Sequence, residues 1–359
     1  MRLHLRRPVC AALGLTFVLA LPSAAQGAEK TVDMGLPLAS QRTFQRTGSD
    51  VNDFFPHTAT IHVGDTVRFV PTGFHTVDLP GRRTRKLPLV TPIGQKVANA
   101  LDAAGAPFFF NGADALGFNR QLLRSNFGRR FSYTGARAVN SGLPLTERPR
   151  PMTVRFRRAG TFRYFCDVHF GMTGTVRVLR SGRRVPSARQ DRATVRAQLA
   201  ATLRTARALP RSATPPPNTV DVGLQGRGGV SFFDFVPKQL TVPVGTTVRF
   251  RMAARTEVHT ATTGPGDPEN QPTSYLGVIA KSFETPNLDP RGVYPSDAPP
   301  AIAPLTPTFH GNGFWNSGGL DLDPTTPLPT QNAVAFAAPG VYQFFCVIHP
   351  FMRATVTVQ

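Results

Sequence analysis

The chain repeats itself at the scale of a whole domain, and this restricts its fold more tightly than its composition does. Val32-Asp33-Met34-Gly35-Leu36 returns as Val220-Asp221-Val222-Gly223-Leu224. Val63-Gly64-Asp65-Thr66-Val67-Arg68-Phe69 returns as Val244-Gly245-Thr246-Thr247-Val248-Arg249-Phe250. Asn140-Ser141-Gly142 returns as Asn316-Ser317-Gly318, and Tyr164-Phe165-Cys166 as Phe344-Phe345-Cys346. The cysteine-to-cysteine offset is 180 residues (346 − 166), far longer than a solenoid unit. Each copy must therefore bury a core of its own.

Within each copy the periodicity is that of strands. Thr58 to Phe69 alternates, with Ile61, Val63, Val67 and Phe69 as inward positions around a Gly64-Asp65 turn. Met152 to Phe156 and Thr161 to Phe165 flank Ala159-Gly160, and Gly174 to Leu179 closes the copy. Gln239 to Arg251, Ala333 to Phe336, Tyr342 to Phe345 and Ala354 to Val358 repeat the pattern. Short strands between turns, in a chain with 32 Gly and 34 Pro, predict an all-β fold of two tandem β-sandwiches.

Two kinds of segment depart from that pattern. Ser187 to Leu209 is rich in Ala and Arg, and Val195, Leu199 and Leu203 recur four apart as one apolar stripe. A helix is expected there, opened by a Ser187/Gln190 capping box and ended by Pro210. Its Arg-rich face is either a solvated spacer or a docking surface. Ser212 to Asn218, with three consecutive prolines, reads as a stiff linker. Pro80 to Pro151 and Thr263 to Asn332 are too long to lack structure, and are expected to form lids or extra hairpins at one end of each sandwich. The expected division is an export signal over 1–28, a first domain over 29–181, helix and linker over 182–218, and a second domain over 219–359.

Each copy carries one cluster of metal-binding residue types. Cys166-Asp167-Val168-His169-Phe170-Gly171-Met172 and Cys346-Val347-Ile348-His349-Pro350-Phe351-Met352 share the pattern C-x2-H-x2-M. An earlier histidine, His75 or His259, follows the V-G-x-T-V-R-F strand. A thiolate, two imidazoles and a thioether make a soft, mixed donor set that suits copper in both Cu(I) and Cu(II). A single such motif is often just a buried Cys, a surface His and a core Met. Two copies, each with its upstream histidine, make that bland explanation a poor one.

At these residues the chain resembles the plastocyanin, amicyanin and pseudoazurin family of blue-copper proteins. The resemblance spans the V-G-x-T-V-R-F strand, the first histidine, Asn-Ser-Gly, the strand into the cysteine and the ligand loop. It implies Greek-key cupredoxin sandwiches, a type 1 copper in each, and single-electron transfer. Carried over, the ligands are His75, Cys166, His169 and Met172, then His259, Cys346, His349 and Met352. The family often has Asn after the first histidine, whereas Thr76 and Thr260 stand here, which bears on hydrogen bonding around the metal.

The rest of the sequence bounds the setting. Arg2, Arg6 and Arg7, an apolar run from Val9 to Leu21, and Ser23-Ala24-Ala25 read as a cleaved export signal, and the expected location is secreted or periplasmic. With Cys10 removed, Cys166 and Cys346 remain. A disulfide between them is the bland reading outside the cell, but their matching contexts favour separate thiolates held by metal. Residues 1–218 carry 33 Lys/Arg against 11 Asp/Glu, and 219–359 carry 8 against 10. The arginines are dispersed without a nucleic-acid motif, so docking of an acidic redox partner or plain solvation is favoured over nucleic-acid binding. A copper-dependent oxidoreductase, and copper storage or delivery, are the alternatives. Multicopper oxidases and copper nitrite reductases wire their catalytic copper through a His beside the Cys, yet no His-Cys or His-x-His pair occurs here. His57, His62 and His310 are the spare histidines, expected at edges or on the surface. Asp167 has no acidic match at Val347, and reads as a solvated loop residue or as a tuner of one copper. Trp315 and Phe351 are candidates for an electron-exit patch, with simple loop packing the alternative for Trp315.

Overall fold

The computed structural model describes residues 27–82, 86–299, 301–302, 304–306 and 309–359. All but the last two residues of the expected export signal lie outside that range. The chain is all-β with a few helices. In the first repeat, one five-stranded sheet runs Phe54–Phe55, Glu29–Met34, Thr66–Pro71, Met152–Phe156, Arg130–Tyr133. The facing sheet runs Val139–Asn140, Asp78–Leu79, Gly160–Phe165, Thr173–Leu179, Thr58–His62. Alternate residues point into the space between them. Ile61, Val67, Phe69, Val154, Tyr164 and Val176 form one closed core with Cys166 and Met172 at its end.

The second repeat builds the same pair. A six-stranded sheet contains Gln331–Phe336, Thr247–Met252, Thr219–Gln225 and Val230–Val236, and a five-stranded one contains Gln239–Val242, Arg353–Val358 and Gly340–Phe345. In each repeat the first long strand lies parallel to the V-G-x-T-V-R-F strand, through Val32↔Phe69 and Val220↔Phe250. Parallel neighbours that are distant in sequence are what Greek-key crossings between two sheets produce.

Val63 departs from its expected inward place. It is 42% exposed, because the strand ends at His62 and the turn places Val63 outside. Gly64 completes that turn at φ +93, a conformation that favours glycine.

The helix forms over Ala188–Ser212 with both hydrogen bonds of the Ser187/Gln190 capping box. It does not stop at Pro210. A proline in the last turn removes one backbone donor, and the turn survives that loss with Ser212 Oγ donating to Leu209 O at 2.8 Å. Val195, Leu199 and Leu203 pack on Phe44, Val51 and Phe55 of the first repeat and Val230 of the second. The stripe therefore seals a seam between the repeats. A second seam element is the strand Ser49–Val51, which lies in the first repeat but pairs antiparallel with Val230–Phe232 in the second repeat's six-stranded sheet.

The long insertions are structured. Val90–Lys96 and Asp114–Phe118 form a hairpin, and Tyr275–Lys281 is a helix capped by Ser274. They pack on each other: Val97, Phe108 and Phe110 from the first insertion meet Leu276, Ile279 and Phe314 from the second.

Candidate metal centres

In each copy the two histidines and the cysteine are brought together, with the methionine buried in the same loop. The strand Gly160–Phe165 delivers Cys166 to the end of the first core. The loop after it folds back on itself, with the Cys166 amide donating to Met172 O at 3.0 Å and the Met172 amide to His169 O at 3.3 Å. His75 arrives from the neighbouring chain segment. Its Nδ1 lies 2.9 Å from His169 Nδ1, and Cys166 Sγ is 3.6 Å from His169 Nδ1. In the second copy His259 Nδ1 and His349 Nδ1 are 3.1 Å apart, with Cys346 Sγ at 3.7 and 3.8 Å from them. Met352 repeats the loop closure, its amide donating to His349 O at 2.9 Å. Cys166 and Cys346 are free thiols, so no disulfide joins them.

Three donors bound to one ion at about 2.0–2.3 Å are separated by roughly 3–4 Å. The second triad meets that condition at all three separations and the first at the two that involve His169, with all three donors of each within 4.8 Å of one another. Burial also prepares the donors. It holds His75 at about 3 and His349 at about 4, and puts His169 and His259 well below the ordinary imidazole value. The imidazoles are therefore neutral, with lone pairs free. Burial pushes both thiols up, opposed by hydrogen bonds to sulfur. The amide of Thr76 donates to Cys166 Sγ at 3.4 Å, and that of Thr260 to Cys346 Sγ at 3.3 Å. Neutral imidazoles, a sulfur already accepting an amide proton and a buried methionine in the same loop fit a soft metal ion.

The surroundings account for repeated residues whose role the sequence left open. A Cβ on Gly35 would come within 2.7 Å of His75 Nε2, and one on Gly223 within 2.7 Å of His259 Nε2. These glycines recur because an imidazole rests on each. Ser141 and Ser317 each accept an amide proton two residues beyond the first histidine, from Val77 at 2.9 Å and Ala261 at 2.8 Å. Thr76 and Thr260, which stand where the resembled family often has Asn, clasp the ligand strands. Thr76 Oγ1 accepts from the Asp167 amide at 2.7 Å, and Thr260 Oγ1 from the Val347 amide at 2.9 Å.

Other expectations fare differently. Asp167 is not solvated; it is 1% exposed and accepts from Thr76 Oγ1, the Leu87 amide and Asn140 Nδ2. Trp315 is 1% exposed among Phe250 and Phe344, so it is core and lines no exit. Phe351 is exposed beside His349. His57 and His62 sit at strand edges beside Asp53 and Asp65. His310 is more enclosed than expected: it lies between Asp102 of the first insertion and Asp297 of the second, at 3.5 and 3.6 Å.

One residue carried no signal in the sequence. Glu257 is buried where the repeats meet, its Oε1 3.5 Å from His169 Nε2, and burial pushes it up to about 8. A cavity of about 2120 Å3 opens beside it, with His169, His349, Phe233 and Leu87 in its wall.

No family model matches the chain, and no curated protein matches it. Solved structures do match. A reduced Cu(I) form of an amicyanin mutant aligns at 14% identity and a TM-score of 0.22, over 42% of this chain and 90% of that one. A purple cupredoxin from Nitrosopumilus maritimus aligns at 18% identity and a TM-score of 0.19, over 39% and 98%. The oxidized plastocyanin of Dryopteris crassirhizoma aligns at 21% identity and a TM-score of 0.21, over 39% and 99%. Among the described residues, no helix is long and apolar enough to cross a membrane.

Proposed function

We propose that the chain is an exported blue-copper protein that transfers single electrons, with one mononuclear type 1 site in each cupredoxin repeat. The ligands are His75, Cys166, His169 and Met172 in the first, and His259, Cys346, His349 and Met352 in the second. The observation that carries this reading is the twofold convergence of two imidazole nitrogens and one cysteine sulfur within 4.8 Å, fully enclosed in the first repeat and nearly so in the second. Copper bound there supplies a one-electron Cu(I)/Cu(II) couple. The protein's own groups do the rest. The neutral histidines offer lone pairs without first losing a proton, and the thiols release theirs on binding. The packed sandwich and the clasps from Thr76 and Thr260 hold the donors in place, which keeps reorganisation small.

The test is an absorption spectrum of the oxidised, copper-loaded protein with its metal content. The expected result is an intense band near about 600 nm and about two coppers per chain. Cys166→Ser and Cys346→Ser should each remove about half of that band. A colourless protein indifferent to copper sinks the reading.

A copper-dependent oxidoreductase is the second reading, favoured by the cavity beside His169 and His349, which is ample for a small organic substrate. Turnover of phenols or nitrite would establish it. On the partner side, the exposed Arg192, Arg196, Arg204 and Arg207 of the helix add to a strongly basic first repeat. An acidic redox partner suits that face, and its association rate should fall steeply with salt.

A further inference from the structure

The first site is buried against the second repeat, across the cavity that His169 lines. Its later histidine, His169, is 7% exposed, and its Nε2 faces Glu257 of the second repeat at 3.5 Å. Glu257 is held from the first repeat, because Asn52 Nδ2 donates to the same carboxylate oxygen. Asn52 is itself fixed across the seam. Its side chain donates to Ser231 Oγ at 3.2 Å and its amide to Gly229 O at 2.7 Å. Two residues beyond Glu257 stands His259, a donor of the second triad. From the His169 ring there is one non-covalent gap, and then an unbroken run of covalent bonds through Glu257 and Val258 to His259.

We propose that Glu257 is the bridge by which the first His/Cys/His site exchanges electrons with the second, making the two sites one internal relay. The proposal deepens the blue-copper reading and rests on it for the metal. One electron is lost at the first site and gained at the second; no bond forms or breaks and no proton need move.

Three further observations support it. The two sites face one space: His169 and His349 both line the cavity between the repeats. The bridge has no twin, since Gly73 holds the place in the first repeat that Glu257 holds in the second, two residues before the histidine. The outlet is on the second site, where Phe233 packs on His349 at 5.0 Å between ring centres and Phe351, 54% exposed, stands beside it. A docked protein can reach the second site at Phe351, while the second repeat covers His169.

The experiment uses the full-length chain and its Glu257→Ala and Glu257→Gln variants. Copper-loaded protein is reduced by less than one electron per molecule in a flash, and re-equilibration between sites is followed optically. Glu257→Ala should slow it about ten-fold or more, with both absorption bands intact. Glu257→Gln, which keeps the length and the contact with the ring, should retain most of the rate. In metal-free protein, the imidazole nitrogen resonances of His169 should move in both variants. An unchanged rate in both variants, or an unmoved His169, overturns the bridge. Metal content well below two per chain, with the bands absent, sinks the copper reading instead, and the metal-free resonances still decide the contact.

Discussion

The two ligand loops differ most at the residue after the cysteine, and that difference has a size. Asp167 Oδ2 lies 3.2 Å from Thr76 Oγ1, which lies 3.8 Å from Cys166 Sγ. The carboxylate oxygen is therefore within about 7 Å of the sulfur. A unit charge at about 7 Å, with an effective dielectric of about 20, contributes about 2.4 kcal/mol. At about 2.3 kcal/mol per 100 mV this is about 100 mV. Burial pushes the Asp167 carboxyl up, opposed by the three donors that converge on it and by Lys86, so the measurement is made at about pH 8, where a carboxyl is ionised. A negative charge favours the oxidised metal, so it lowers the potential of the first site. Val347 supplies no such charge to the second. Asp167→Asn should therefore raise the first-site potential by up to about 100 mV and leave the second in place. Spectroelectrochemical titration at about pH 8, on backgrounds carrying Cys346→Ser or Cys166→Ser to isolate each site, measures both. An unmoved first site, or equal movement at both, refutes the reasoning.

Ser187→Ala removes the hydroxyl of the helix capping box and should cost about 1 kcal/mol, read as a lower denaturant midpoint at constant slope. His57 is raised above 6.5 chiefly by its hydrogen bond to Asp53, so the stability of that pair is fully present below 6.5 and lost as pH rises through the folded value. The ring is half-exposed, so the effect is small, and melts of wild type and His57→Gln should converge toward pH about 8. Copper at about 100 times its dissociation constant should stabilise by about 2.7 kcal/mol per site, and calorimetry should show Cys166→Ser losing only the first repeat's share.

The strands and the two triads were legible because both are local and both occur twice. A strand's alternation is printed in successive residues, and C-x2-H-x2-M lies within one loop. Even His75 and His259, far from the ligand loop in sequence, are legible because each follows the same repeated strand. What the sequence could not give were relations between the copies. Glu257 is one acidic residue in a loop, and its meaning arises from His169 lying 88 positions earlier (257 − 169). The strand Ser49–Val51 is three residues long and takes its partner from the other repeat. Asp167 looked like an exposed loop residue because nothing local says that Leu87 and Asn140 will close over it. Pro210 does not stop the helix, because it stands in the last turn, where the loss of one donor is borne. Gly35 and Gly223 were visible as a repeat, and only the imidazoles packed on them explain why.

The energetics of the seam bear on why Glu257 is where it is. A carboxyl moved from water into an enclosed interface carries a penalty, and that burial pushes Glu257 up to about 8. An apolar residue of similar volume would avoid it. The interface is sturdy enough to bear the cost, because the strand Ser49–Val51, the helix stripe of Val195, Leu199 and Leu203, and the Asn52 hydrogen bonds all tie the repeats together. Those same ties fix the carboxyl against His169 and leave it little freedom to turn away. Glu257 touches one triad and is joined by backbone to the other. With the first potential lowered by Asp167 as predicted, an electron crossing at Glu257 would run downhill toward His349 and the exposed Phe351. A costly group that touches one site and is joined by backbone to the other is accounted for by the link it makes.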